Sequence, residues 1–143
     1  MSFMNKIASY LPCFLFPAGV LCVHLVASKV FHLYTLYPNV DIPFHFIGGL
    51  SIAFTASRIL RRLEADKTVA PVDRAVFLLL VVCMTATAAV LWEFAEFSED
   101  RLLGTNVQIS LANTMQDQLM GLCGGIAWVL ILARGFRRPG LPT

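Results

Sequence analysis

Apolar residues fall in four long runs separated by short polar stretches, and each run has the length of a membrane crossing. About 20 mostly apolar residues in a helix that rises 1.5 Å per residue span a hydrocarbon core of about 30 Å. Runs over about residues 7–31, 42–60, 75–97 and 114–133 meet that length. Pro12 and Pro17 lie inside the first run and predict a bent helix or a delayed regular start. The same run exceeds the apolar core of about 7 to 15 residues in a signal peptide, and no A-x-A exit follows it, so it reads as retained. Neither an internal repeat nor a low-complexity segment breaks the pattern. The expected fold class is all-α: a polytopic membrane protein with four transmembrane helices, forming one integral membrane domain over residues 1–143.

Composition points the same way. The chain is 57% hydrophobic and 14% charged, where a soluble domain carries about 25% charged residues. A net charge of +2, with no basic run interleaved with aromatics, leaves no surface for nucleic acid; the expected partners are membrane lipids. Cys13, Cys22, Cys83 and Cys123 lack C-x-x-C spacing and sit in apolar runs, which predicts buried reduced thiols acting as small hydrophobes. Orientation follows from the basic flanks. With four crossings, Lys6, Arg58, Arg61, Arg62, Lys67, Arg74, Arg134, Arg137 and Arg138 share one side, while Lys29 and Arg101 lie on the other. That excess predicts both termini in the cytoplasm.

The acids then gather on the outer side. Asp41 and His45 open the second run, Glu93, Glu96 and Asp100 close the third, and Asp117 sits one turn into the fourth; His24 lies at comparable depth and His32 beyond it. Glu93, Glu96 and Asp100 are spaced i, i+3, i+7 and so share one helical stripe, whereas Glu99 falls off it and reads as solvated. Asp41 and Asn113 occupy expected N-cap positions, and Asn113 with Gln116 resembles a capping box. Small residues continue each polar position inward: Gly48, Gly49, Ala53 and Ala56 after His45, and Gly121, Gly124 and Gly125 after Asp117. Such faces let helices approach closely, within the bundle or in a homo-oligomer.

Three stretches, "DIPFHFIGGL", "LWEFAEFSED" and "NTMQDQLMGLCGG", resemble the YjdF-like family of small bacterial inner-membrane proteins, itself uncharacterised, and more distantly the VanZ-like proteins linked to glycopeptide resistance. The resemblance runs from about Val40 to Gly125. It implies motif residues at Asp41, His45, Gly49, Glu93, Glu96, Asp100, Thr114 and Asp117, and the chain departs from the pattern at Asn113, where the family has Asp.

Carboxylates at a helix C-terminus oppose the helix dipole, and three on one stripe repel one another, so compensation is expected from protonation, from an imidazolium of His45 or His24, from Arg101 or from a bound cation. One reading is a divalent metal ion held by His45, Glu93, Glu96, Asp100 and Asp117; mixed imidazole and oxygen ligands suit Mn, Fe or Zn, and a mostly carboxylate set suits Mg or Ca. Such an ion would activate water or polarise a lipid-linked phosphate or other envelope substrate. A second reading gives His45, Glu93, Glu96 and Asp117 metal-free acid–base or proton-coupled roles. A third is a hydrogen-bond network that only fixes helix packing. No phosphate loop, dinucleotide fingerprint or Ser-His-Asp pattern is present.

Overall fold

The computed structural model describes residues 8–135. Lys6, Arg137 and Arg138, which contribute to the orientation argument, lie outside the described residues, as does the expected start of the first run at Ile7.

Helix α1 covers Ala8–Val30. Its prolines act locally. Leu11–Phe14, with Pro12, winds as a 3-10 turn, and the regular helix Leu15–Leu25 begins only after it. Pro17 sits in the first turn of that regular segment, where a missing N–H leaves no helix bond unmade. The segment ends in a wider π turn, Val26–Val30. His32, at φ 49°, reverses the chain into a single turn, α2, over Leu33–Leu36. A 3-10 turn at Pro38–Val40 leads directly into α3, Asp41–Ala65. Helix α4 spans Arg74–Leu103 and α5 spans Leu111–Arg134.

Two expected caps are corrected. Helix α3 starts at Asp41 itself, with Val40 as its N-cap and no capping side chain. Helix α5 starts three residues earlier than expected because Ser110 Oγ accepts from Asn113 N at 3.2 Å. Asn113 therefore lies inside the helix, which frees its amide for another partner. Helix α4 outlasts the apolar run that ends near residue 97, continuing through its polar tail until Gly104 takes the left-handed conformation, φ +66°, that ends many helices.

The long helices alternate in direction, and side chains tie their ends together. At one end, the basic end, Tyr10 Oη donates to Asp66 (3.0 Å), Arg62 donates to the Ser9 carbonyl and Arg74 to the Ala133 carbonyl (2.6 Å). At the other, the acidic end, Lys29 meets Glu99 at 3.2 Å, so Glu99 is paired rather than merely solvated.

Among the described residues, three helices are long and apolar enough to cross a membrane: α1, α4 and α5. Helix α3 is as long but more polar, and its position explains why. It is the central helix, packed against α1, α4 and α5, and its buried residues are Ser51, Ala53, Thr55, Ala56 and Ser57. The hydroxyls are satisfied by backbone: Thr55 Oγ1 donates to the Cys13 and Ser51 carbonyls, Ser51 to Gly48 and Ser57 to Phe54. A helix that faces protein rather than lipid does not need a continuous apolar surface.

Glycine sets how close α3 and α5 come. A Cβ on Gly49 would overlap the Gly121 carbonyl, and one on Gly124 would overlap the Phe46 carbonyl. Gly125 faces Thr85 of α4. The small faces expected from sequence are thus buried inside the chain. Around them, Ala53, Ala56, Phe77 and Val81 form the apolar core, edged by Trp128 and Leu132. Of the four free cysteines only Cys13 is buried. Cys22, Cys83 and Cys123 are exposed on the bundle surface, because apolar surroundings in the sequence here mean an apolar outer face rather than a core.

Candidate functional site

At the acidic end three helices each contribute one pair of side chains spaced i, i+4, a separation that stacks them on one face. On α3, His45 Nε2 lies 3.2 Å from Asp41 Oδ1. On α4, Trp92 Nε1 donates to Glu96 Oε1 at 2.7 Å. On α5, Asn113 Nδ2 donates to Asp117 Oδ2 at 2.7 Å. The close approach of α3 and α5 at their glycines brings the first and third pairs together, with His45 Nε2 3.9 Å from Asp117 Oδ1. One ligand atom from each of Asp41, His45 and Asp117 lies within 4.8 Å of the other two.

Glu93 is held by a separate device. The turn at Gly104 lets the following strand of loop fold back, and Asp100 anchors it. Asp100 Oδ1 accepts from Thr105 Oγ1 (2.7 Å) and Val107 N (2.7 Å), and Oδ2 accepts from Gln108 N (2.9 Å). The anchored loop delivers the Gln108 side chain, whose Nε2 donates to the Glu93 carbonyl (3.0 Å) and to Oε2 (3.1 Å). Asp100 is therefore a loop anchor that sits outside the triad.

Burial at this end is severe for carboxylates. Asp117 is 2% exposed, Glu93 3% and Glu96 8%. Among the described residues, two buried side-chain oxygens have no hydrogen-bond partner: Glu93 Oε1 and Asp117 Oδ1. Among Asp41, Asp117, Glu93 and Glu96, only Asp41 lies in the terminal turn of a helix, where the dipole favours negative charge; the other three lie more than one turn from their helix ends, so the dipole neither supports nor opposes them.

Beside the triad, His24 Nδ1 shares a 2.7 Å hydrogen bond with Tyr34 Oη, and its ring packs edge-on against Tyr34, Phe44 and Trp92. Burial, reinforced by the Asp41 carboxylate, pushes the Tyr34 phenol above the ordinary tyrosine range, so it stays protonated as a donor. A cavity of about 350 Å³ runs below, with His24 and His45 at its edge and a mainly apolar lining from α1, α3 and α4.

The structure brings His45 and Asp117 together with Asp41, while Glu93 and Glu96, expected in the same ligand set, lie buried outside that group. It adds Asp41, which the sequence reading assigned to capping, and places Asp100 in the loop. The i, i+4 spacing of Asp41 with His45, of Trp92 with Glu96 and of Asn113 with Asp117 is the sequence signal that identifies these partners. Gln108 carries no such signal, because only the Asp100-anchored turn brings it to Glu93.

No curated protein and no solved structure matches the chain. A family described as "Predicted membrane protein (DUF2238)" matches residues 8–138, and the chain belongs to that family.

Proposed function

We propose that Asp41, His45 and Asp117 hold a divalent cation, in a four-crossing protein of the bacterial cytoplasmic membrane whose termini are cytoplasmic and whose cation site lies near the outer face. The observation that carries the proposal is Asp117 Oδ1: a carboxylate oxygen 2% exposed at the residue level, without a donor, beside an imidazole nitrogen and a second carboxylate. Leaving such an acceptor unpaired in a buried site is costly, and a packing role would be filled by Asn, Ser or Thr at lower cost. A cation in the triad would satisfy it.

Two carboxylates and one imidazole suit Mn, Fe or Zn, and three protein ligands leave positions open for water or a substrate oxygen. The chemistry such a site supplies is polarisation of a phosphate or carbonyl on a lipid-linked or envelope substrate. Glu93 and Glu96, close by on α4, are placed to act as proton acceptors. The fourth crossing is supported by the 25 residues of α3, by its central packing and by its antiparallel neighbours. Orientation is supported by the arginines at the basic end, among them Arg58, Arg61, Arg62 and Arg74.

Elemental analysis of protein purified without chelator tests the cation. About one divalent ion per chain, lost in Asp117→Asn and Asp41→Asn while the helical signal and melting persist, is the expected result. Folded wild-type protein that takes up neither manganese nor zinc would leave the alternative in force: an acid–base network of His45, Glu93 and Glu96 without metal.

A further inference from the structure

The apolar cavity is a second feature of the acidic end, and the triad alone does not account for it. It reaches from Phe44 to Ile52 along α3 and from Phe14 to His24 along α1. At 1.5 Å per residue these stretches are about 12 and 15 Å long. That is roughly the depth of one leaflet's tails, half of a hydrocarbon core of about 30 Å. The volume of about 350 Å³ falls within the range of about 300–1,000 Å³ seen for small-molecule pockets.

Why a space remains is legible in the packing. Helix α1 lies along α3 and makes few close approaches to α4. On the floor, Gly48, Gly49 and Gly121 contribute no side chains, and Ala88 and Ala89 contribute only methyls. Among the described residues, the aromatic contact of His24 with Trp92 and the pair Lys29–Glu99 beyond it join α1 to α4 toward the acidic end. Phe14 and Leu21, which line the cavity from α1, are 50% and 41% exposed, so that wall is not closed over by the rest of the chain.

We propose that this cavity binds one alkyl chain of a membrane lipid, admitted sideways between α1 and α4, with the lipid's phosphate-bearing head held at the triad. His45 joins the two parts, since it lines the cavity while its Nε2 lies 3.2 Å from Asp41 and 3.9 Å from Asp117. The chain-binding part stands on the cavity alone; the head assignment rests on the cation reading, because a phosphate beside uncompensated carboxylates would be repelled. The ligand class is thus a phospholipid or lipid-linked phosphate, and an uncharged apolar molecule or a water-soluble phosphate alone would satisfy half of the site.

Trp92 reports on the cavity and Trp128, near Phe54 and Ser57, does not. With Trp128→Phe as background, the detergent-solubilised full chain is titrated with a phosphatidic acid carrying brominated acyl chains, and Trp92 fluorescence is followed. Saturable quenching is expected. Gly48→Leu fills the cavity without backbone overlap, since a Cβ there meets nothing within 4 Å. It should abolish the saturable component, as should Ala88→Leu from the opposite wall, while Gly19→Leu, outside the lining, leaves it intact. Equal quenching in the native and the two filled proteins would overturn the chain site. The cation reading is scored separately by manganese content, which stays at the native level in Gly48→Leu. An Asp117→Asn protein that binds no manganese but keeps saturable quenching by phosphatidic acid would uphold the chain site and refute the head assignment.

Discussion

The two ends of the bundle solve the problem of polar groups in an apolar surrounding in opposite ways. At the basic end, Arg58, Arg61 and Arg62 lay their guanidinium groups over Phe54, Phe77 and Tyr10, with 5.4 to 5.9 Å to the ring centres. Arg58 and Arg61 are exposed, and the stems of such side chains cover apolar surface while their heads reach the interface. Polar groups buried below them are hydroxyls, bonded to carbonyls or, for Ser57, also to Trp128 Nε1. At the acidic end the groups taken inside are carboxylates, two of them with an oxygen unpartnered. The basic end shows that this sequence can pack helices without buried charge. Carboxylates at the other end therefore call for a reason beyond packing, which the proposed cation would supply.

Substitutions at each end separate the two designs. The largest effect is expected where the ends share a cause, the α3–α5 contact: Gly49→Val drives a side chain into the Gly121 backbone and should cost about 3 kcal/mol or more, read as loss of cooperative unfolding. Next, Asp100→Ala removes the acceptor of three hydrogen bonds and should lower stability by less than Gly49→Val does, with faster amide exchange at Val107 and Gln108. It should weaken metal binding less than Asp117→Asn does, because Asp100 lies outside the triad. The smallest effect belongs to the basic end. Ser57→Ala removes the hydroxyl that accepts from Trp128 and should lower stability by about 0.6 kcal/mol, the usual size of an interhelical hydrogen bond in a membrane. Its metal content should not change; a fall there would erase the contrast between the ends.

Much of this was legible before the structure. Run lengths anticipate the helices, and the acids at the start of the second run, the end of the third and the start of the fourth anticipate their meeting, because antiparallel neighbours bring those ends to one side. The glycines after His45 and Asp117 signal where α3 and α5 touch. What stayed hidden depends on loops and on helix register. Asp41 reads as a cap because acids favour the first turn for electrostatic reasons whether or not they do chemistry. Asp100 shares a stripe with Glu93 and Glu96, yet the turn at Gly104 folds the loop back onto it and occupies both its oxygens. The cavity had no sequence signal, since a gap between α1 and α4 reflects what the helices fail to touch.

The central claim is that the triad is a metal site, and titration of the purified protein with Mn²⁺, followed by electron paramagnetic resonance, tests it most directly. Loss of the free-ion signal at one equivalent per chain in the native protein, and its persistence in a folded Asp117→Asn protein, is the predicted result. A native protein that leaves the free-ion signal unchanged, or a variant that depletes it equally, would contradict the account.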